Sequence, residues 1–325
     1  MNSTKNTQYD VIALGELLID FTENGMSGQG NPLFEANPGG APCNVLAMLR
    51  KLGHTTAFIG KVGDDFFGEQ LQKAIEDTGI DSRYLLKDRE VHTTVAMVHT
   101  LPDGDRDFSF YRNPGADMML DPSEIPEEVF SRTKIFHFGS LSMTHETVRK
   151  ATHSALDRAK AAGCLISFDP NLREPLWDSL DEARKQILEG TSWCDLLKIS
   201  DNEIQWLTGR EDYSDGVQWI REHFPAIKLI FVSMGKHGSR AYYQNKMVEE
   251  PAFVSTRTIE TTGAGDTFMG CILHFVCQMG MDNLDEECLH QILRFANAAA
   301  SLVTERKGAL RVMPEKDEIV AKLNT

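Results

Sequence analysis

An alternation constrains the fold of this chain more than any other feature. Short apolar runs at residues 11–14, 56–59, 135–138, 165–168, 196–199 and 229–232 are separated by amphipathic stretches at 45–52, 68–78, 145–162 and 180–190. Four-residue apolar runs suit strands buried on both faces, and the 3.6-residue period between them suits covering helices. Strand, helix and strand in succession make βαβ units, whose crossovers lay the strands parallel in one covered sheet. Beyond residue 265 the pattern is almost wholly helical, at 265–279, 284–304 and 315–324. The expected fold class is therefore α/β with a mostly parallel sheet.

Two segments break the rhythm. Residues 16–37 read as an irregular, glycine-rich polar stretch. Residues 83–112 hold alternating runs at 91–99 and 106–111 around the turn Pro102-Asp103-Gly104, which reads as an antiparallel hairpin inserted in the α/β domain. Such an excursion serves as a lid or as an ordinary surface hairpin, and its pattern fits both.

Composition excludes several functions. The chain has 325 residues and a formal net charge of −15, with no basic run. Nucleic acids and anionic membranes each need a positive face, so neither is an expected partner. The six cysteines form no C-x-x-C pair and no zinc spacing, and H-E-x-x-H is absent, since Arg149 stands where the second histidine would be. The polar N-terminus lacks an apolar signal region, and the apolar stretch 271–281 is too short to span a bilayer. A cytoplasmic protein with reduced thiols is the expectation.

The sharpest local motif is Glu260-Thr261-Thr262-Gly263-Ala264-Gly265-Asp266-Thr267-Phe268, opening a helical run. Its glycines allow close backbone approach, and the amides of a helix start converge on one point, which favours an anion such as a phosphoryl group. A carboxylate beside such a site is repulsive, so Asp266 makes sense as an acceptor of the proton of an attacking hydroxyl. The plainer account is a glycine turn with an acid complementing the helix dipole. A second cluster, Asn37-Pro38-Gly39-Gly40-Ala41-Pro42-Cys43-Asn44, also enters a helix. With Asp20 after the first strand, it offers carboxylate, amide and bare backbone, a set that suits a polyol. The usual nucleotide motifs fail: there is no G-x-x-x-x-G-K-[ST], and Phe268 spoils G-x-G-x-x-G.

At these residues the sequence resembles the ribokinase/PfkB family of carbohydrate kinases, and within it the fructokinases. Residues 38–44 with Ile59-Gly60-Lys61-Val62-Gly63-Asp64-Asp65-Phe66-Phe67-Gly68 resemble the family's N-terminal pattern, and residues 261–268 its C-terminal one. Phe110-Tyr111-Arg112-Asn113-Pro114-Gly115-Ala116-Asp117 and Asp169-Pro170-Asn171-Leu172-Arg173-Glu174-Pro175-Leu176-Trp177 resemble fructokinase stretches. The resemblance implies a single ribokinase-like three-layer α/β/α sandwich over residues 1–325, with a small β lid from about 16–37 and 83–112. It implies phosphoryl transfer from ATP to a sugar hydroxyl, O6 of fructose, with Asp266 as general base and the amides of Gly263, Ala264 and Gly265 holding the phosphoryl group. Arg173 would reach ATP phosphates, and Glu203 would organise Mg²⁺ through water. Ser200, Ser233, Gly235, Gly238 and Asn297 would border the nucleotide. Asp20, Gly39, Gly40 and Asn44 would grip the sugar, completed from the lid by Arg112 and Asn113. Apolar lid residues Val95, Met97 and Phe110 would pair with a second subunit in a homodimer.

Two departures from the family pattern stand out. Ser200 occupies the place usual for Asn in Asn-x-x-Glu, a serine that fructokinase-like members share. Glu260 stands where Asp is usual, in a set with the carbonyls of Thr262, Val303, Arg306 and Gly308 that resembles the family's K⁺ site. A kinase for another sugar or sugar acid, such as 2-keto-3-deoxygluconate or ribose, and a non-catalytic relative remain alternatives at this level.

Overall fold

A computed structural model describes residues 8–100 and 106–324; the turn Pro102-Asp103-Gly104 lies outside them. From the N-terminus, β1 (Tyr9–Leu14) leads through β2 (Leu18–Met26) and β3 (Pro32–Gly39) to α1 (Ala41–Lys51) and β4 (Thr56–Gly63). Next come α2 (Phe66–Asp77), β5 (Asp81–Asp88), β6 (Val95–Thr100) and β7 (Arg106–Tyr111). After short 3₁₀ turns follow β8 (Thr133–Gly139), α3 (Glu146–Ala161), β9 (Leu165–Asp169), α4 (Leu180–Trp193), β10 (Leu196–Ser200), α5 (Asp201–Thr208) and α6 (Tyr213–His223). The chain continues through β11 (Leu229–Ser233), β12 (Ser239–Tyr243) and β13 (Lys246–Glu250) to α7 (Ala264–Met279), α8 (Glu286–Val303) and α9 (Lys316–Leu323).

All six apolar runs become neighbours in one nine-stranded sheet, ordered β13-β12-β11-β10-β9-β8-β1-β4-β5. Pairing is parallel from β11 to β5, and β12 and β13 add antiparallel strands at one edge. Helices cover both faces because the strands are apolar on both. One core joins Val11, Phe58 and Phe231 to α1, α2, α7 and α8. The other joins Ile12, Phe138 and Ile230 to α3, α4, α5 and α6. In that second layer Phe138 stacks on Phe168 with ring centroids 4.5 Å apart, which fixes β8 against β9. On the opposite face α1 and α7 meet at Gly270, where an added Cβ would lie 2.7 Å from Met48 Cβ and 3.0 Å from the Val45 carbonyl. Only glycine permits that approach.

The second sheet is β3-β2-β6-β7, and it corrects the reading of residues 16–37 as irregular. That segment is largely the β2–β3 hairpin, paired in register from Leu18 with Gly39 to Glu23 with Phe34. Alternation is faint there because the far half of β2 is solvent-exposed on both faces, leaving no buried side to select apolar residues. The other segment is also divided differently. β5 belongs to the large sheet, as its edge beside β4, so the small sheet takes only β6 and β7 from residues 83–112.

At the N-terminal ends of the strands, Asp10 of β1 closes a polar network. Its carboxylate accepts from Lys134 Nζ at 2.6 Å and from the Thr55 amide at 3.0 Å, and it meets His54 Nδ1 at 3.3 Å. His54 Nε2 in turn lies 2.7 Å from His274 Nδ1. Burial pushes His274 down to about 4 and lowers His54 despite the neighbouring Asp10. All six cysteines are free thiols. Among the described residues no helix is long and apolar enough to cross a membrane.

Candidate functional site

The other ends of the parallel strands carry the candidate site, where loops leave the carboxyl edge of an open α/β sheet. Asp169 ends β9, Ser200 ends β10 and Ser233 ends β11. Ser200 and Ser233 border a cavity of about 790 Å³ that runs from Asp20, Gly40 and Asn44 to Trp206, Ser233 and Gly235. Gly263, Gly265 and Asp266 line it in the middle.

The two glycine motifs meet in space through their helices. Asn44 sits in the first turn of α1 and Asp266 in the first turn of α7. Asn44 Nδ2 donates to Asp266 Oδ2 at 2.8 Å, across 222 positions of sequence. The same amide's Oδ1 is buried with no protein partner. Asp266 is raised above the ordinary aspartate range by burial, against the pull of Asn44, Lys198 and Arg173. A carboxylate so placed is more basic than usual and ready to receive a proton.

The glycine turn before α7 has the tight form its sequence suggests. Gly263 caps α7 at φ +77°, with Ala309 filling the place of a Cβ at 2.7 Å. The side chain of Thr267 donates back to the Gly263 carbonyl at 2.7 Å, which tightens the first turn. At the other motif, an added Cβ on Gly39 would lie 2.4 Å from Asp20 Oδ2, so glycine there leaves the carboxylate its room. Gly40, at φ +132°, presses equally close to the Glu16 carbonyl.

Glu203 has a different geometry from a direct metal ligand. Its Oε2 accepts from the Ser200 amide at 2.8 Å and from Ser200 Oγ at 2.7 Å, and its Oε1 accepts from the Leu172 amide at 2.7 Å. The residue thus caps α5 and ties that turn to the loop carrying Arg173. This set fits magnesium held through water, the ion's usual preference; no group of three or more His, Cys, Asp or Glu among the described residues suits a metal directly. Arg173 itself is exposed, lines the cavity and donates to the carbonyl of its neighbour Leu172.

Gly39 and Ala264 lie just outside the cavity lining, and so do Arg112, Asn113, Gly238 and Asn297. Arg112 is buried against Asp117 at 2.7 Å and also donates to Thr144 Oγ1 and the Leu141 carbonyl, so its guanidinium is engaged in the fold. Asn113 is exposed beyond it. Asn297 accepts from Ser239 Oγ and donates to the carbonyls of Glu250 and Pro251, and Gly238 packs against the same Glu250 carbonyl. The small sheet contributes Phe110 to the lining instead.

The expected K⁺ set is partly hydrogen-bonded within its own loop. Glu260 Oε1 accepts from the Gly308 amide at 2.6 Å, and the Val303 carbonyl accepts from the Arg306 amide at 3.1 Å. The longer acid closes the loop on itself. Around it lies a cavity of only about 20 Å³, lined among others by Asp20, Asn37, Thr262 and Gly308.

Two buried groups escape the motif reading. Lys198 of β10 donates to both oxygens of Asp169, at 2.9 and 3.2 Å, and lines the cavity. Glu16, also in the lining, accepts from the Ala41 amide at 2.8 Å, and burial raises it to about 7. The signal for each was a lone charge inside an apolar run, LLKIS and LGELL.

Residues 8–316 match the pfkB family carbohydrate kinases. A probable fructokinase-2 of Arabidopsis thaliana is 41% identical over 315 residues, 96% of this chain and 95% of that one. A fructokinase of Xylella fastidiosa solved with bound ATP superposes with a TM-score of 0.89 at 29% identity, covering 98% of both chains. A fructokinase double mutant of Vibrio cholerae O395, solved with fructose, ADP and potassium ion, gives 0.86 at 28% identity over 98% of this chain and 99% of that one.

Proposed function

The chain belongs to the pfkB family of carbohydrate kinases, ATP-dependent sugar phosphotransferases, and we propose that its substrate is D-fructose, phosphorylated at O6. The observation that carries the reading is the Asn44–Asp266 hydrogen bond inside one continuous cavity. It joins a hydroxyl-binding amide to a buried base beside an anion-binding turn. Relatives that match over nearly their whole length are named fructokinases, and one of them was solved with fructose bound.

In this mechanism Asp20, the backbone at Gly39–Gly40 and Asn44 hold the sugar hydroxyls, with Phe110 covering them from the small sheet. Asp266 takes the O6 proton as the O6–P bond forms. The bond from the γ-phosphorus to the β,γ-bridging oxygen breaks, and its electron pair leaves on ADP. Amides of the Gly263–Ala264–Gly265 turn stabilise the charge shifting onto the phosphoryl oxygens. Arg173 swings onto the phosphates as a bidentate cation. Ser233 and Gly235 line the nucleotide end, while Gly238 and Asn297 build its wall. Magnesium, when bound with the nucleotide, neutralises phosphate charge; Glu203 orders its waters and holds the Arg173 loop in place. The small sheet acts as a lid that excludes water, so phosphoryl transfer outruns hydrolysis. Its half-buried Val95, Met97 and Phe110, with the exposed Met26, Leu33 and Tyr111, supply the face of a homodimer.

A sugar panel with Mg-ATP tests the reading. Fructose should exceed ribose, glucose and 2-keto-3-deoxygluconate in kcat/KM, with fructose 6-phosphate as product. A preference for another sugar would overturn the substrate.

A further inference from the structure

We propose that Lys198 is a catalytic residue whose ammonium binds the phosphoryl group in transfer, on the side of Gly265, alongside the amides of the anion-binding turn. The proposal rests on the phosphotransfer reading above and adds to it a fixed, buried charge.

Position is the first argument. Lys198 is the third residue of a five-residue strand whose neighbours are apolar, and it is only 6% exposed. Burying an ion pair gains little stability over well-packed apolar side chains, so the fold alone gives weak reason for a lysine here. Rather than ending in the core, its side chain lines the cavity. An ideal Cβ on Gly265 would lie 3.1 Å from its Nζ. The ammonium therefore packs against the residue whose amide belongs to the phosphoryl site, and glycine there clears its path.

Charge is the second argument. Asp169 holds the ammonium directly, while Glu203 and Asp266 also bear on it. These three acids raise Lys198 despite its burial, so it stays cationic. The only cationic side chains lining the cavity, among the described residues, are Lys198 and Arg173. Arg173 is exposed and must move, whereas Lys198 is anchored by Asp169 before any ligand arrives. An anchored charge in a water-poor site needs no reorganisation as the transition state forms. In the step itself it pairs with a non-bridging phosphoryl oxygen and keeps its proton, so the transfer to Asp266 remains balanced as written.

Three variants test this, with fructose turnover of the wild type run in parallel. Lys198→Met should lower kcat about 100-fold or more with fructose KM changed less than about threefold. Because that variant strands Asp169, the double variant Asp169→Asn/Lys198→Met removes both charges and should regain thermal stability yet stay as slow. Asp169→Asn alone keeps the ammonium and should turn over at least about tenfold faster than Lys198→Met. Recovery of turnover in the double variant would show the pair to be structural and overturn the proposal. Binding gives a readout independent of turnover: Lys198→Met should weaken ADP–aluminium fluoride at least about tenfold more than ADP alone, and equal weakening would also overturn it. If the wild type spares fructose but phosphorylates another sugar, the substrate reading fails and the same variants are compared on that sugar.

Discussion

The two ends of the large sheet both bury polar side chains, and they do so differently. At the N-terminal end Asp10, His54, His274 and Lys134 form a closed set in which each group meets another. At the carboxyl end partnering is incomplete: Asn44 Oδ1 has none, and one lysine faces three carboxylates. Closed networks rigidify and specify a fold, whereas an unfilled one stores the capacity to bind. The difference separates residues that hold the molecule together from those kept ready for a ligand.

Substitutions can break or sharpen this contrast. The largest effect is expected from Asp266→Asn, which should lower kcat by about two to four orders of magnitude while the melting temperature stays level or rises. Near-wild-type turnover would remove the base from the mechanism. Next, Asn44→Asp would set two carboxylates against each other at 2.8 Å. The acid limb of kcat/KM in the wild type should have its midpoint above the ordinary aspartate value of about 3.9, because the base must be ionised and burial raises it. In the variant that limb should move up by about one pH unit or more, read from a pH–rate profile.

The N-terminal network should answer to pH in stability, not in rate. His274 is held down to about 4 in the folded chain, against about 6.5 unfolded. Between those values the unfolded chain takes up a proton that the folded one refuses, so stability is full above about 6.5 and declines as pH falls toward 4. His274→Gln should flatten that decline in melting temperature and leave kcat within about twofold. A proportionate loss of kcat would blur the distinction between the two ends. The smallest effect concerns potassium: with Glu260 already bonded to the Gly308 amide, exchanging K⁺ for Na⁺ should alter kcat less than about twofold.

Local chemistry explains what the sequence made legible. The parallel sheet could be read because every buried strand is apolar on both faces, and Asp266 because its partners in the turn are adjacent in the chain. Lys198 and Asp169 could not be paired by eye, since 29 residues and a whole helix separate them. Arg112 illustrates the converse. Its motif resembles a sugar-binding stretch, but Asp117, Thr144 and Leu141 engage the guanidinium, and only their spatial arrangement reveals that. The hairpin at 18–39 was obscure because a strand exposed on both faces leaves no period to detect.

Gly270 bears on all of this from outside the cavity. The base and the amide that touches it ride on α7 and α1, like the tips of a calliper whose pivot is the contact of Gly270 with Met48 and Val45. One methyl group at that pivot must push the two axes apart or tilt them, and the jaws about one turn away will open with it. The tolerance of the chemistry is therefore set in the hydrophobic core, by a residue that never meets the sugar. Gly270→Ala should register as a slower enzyme before it registers as an unfolded one.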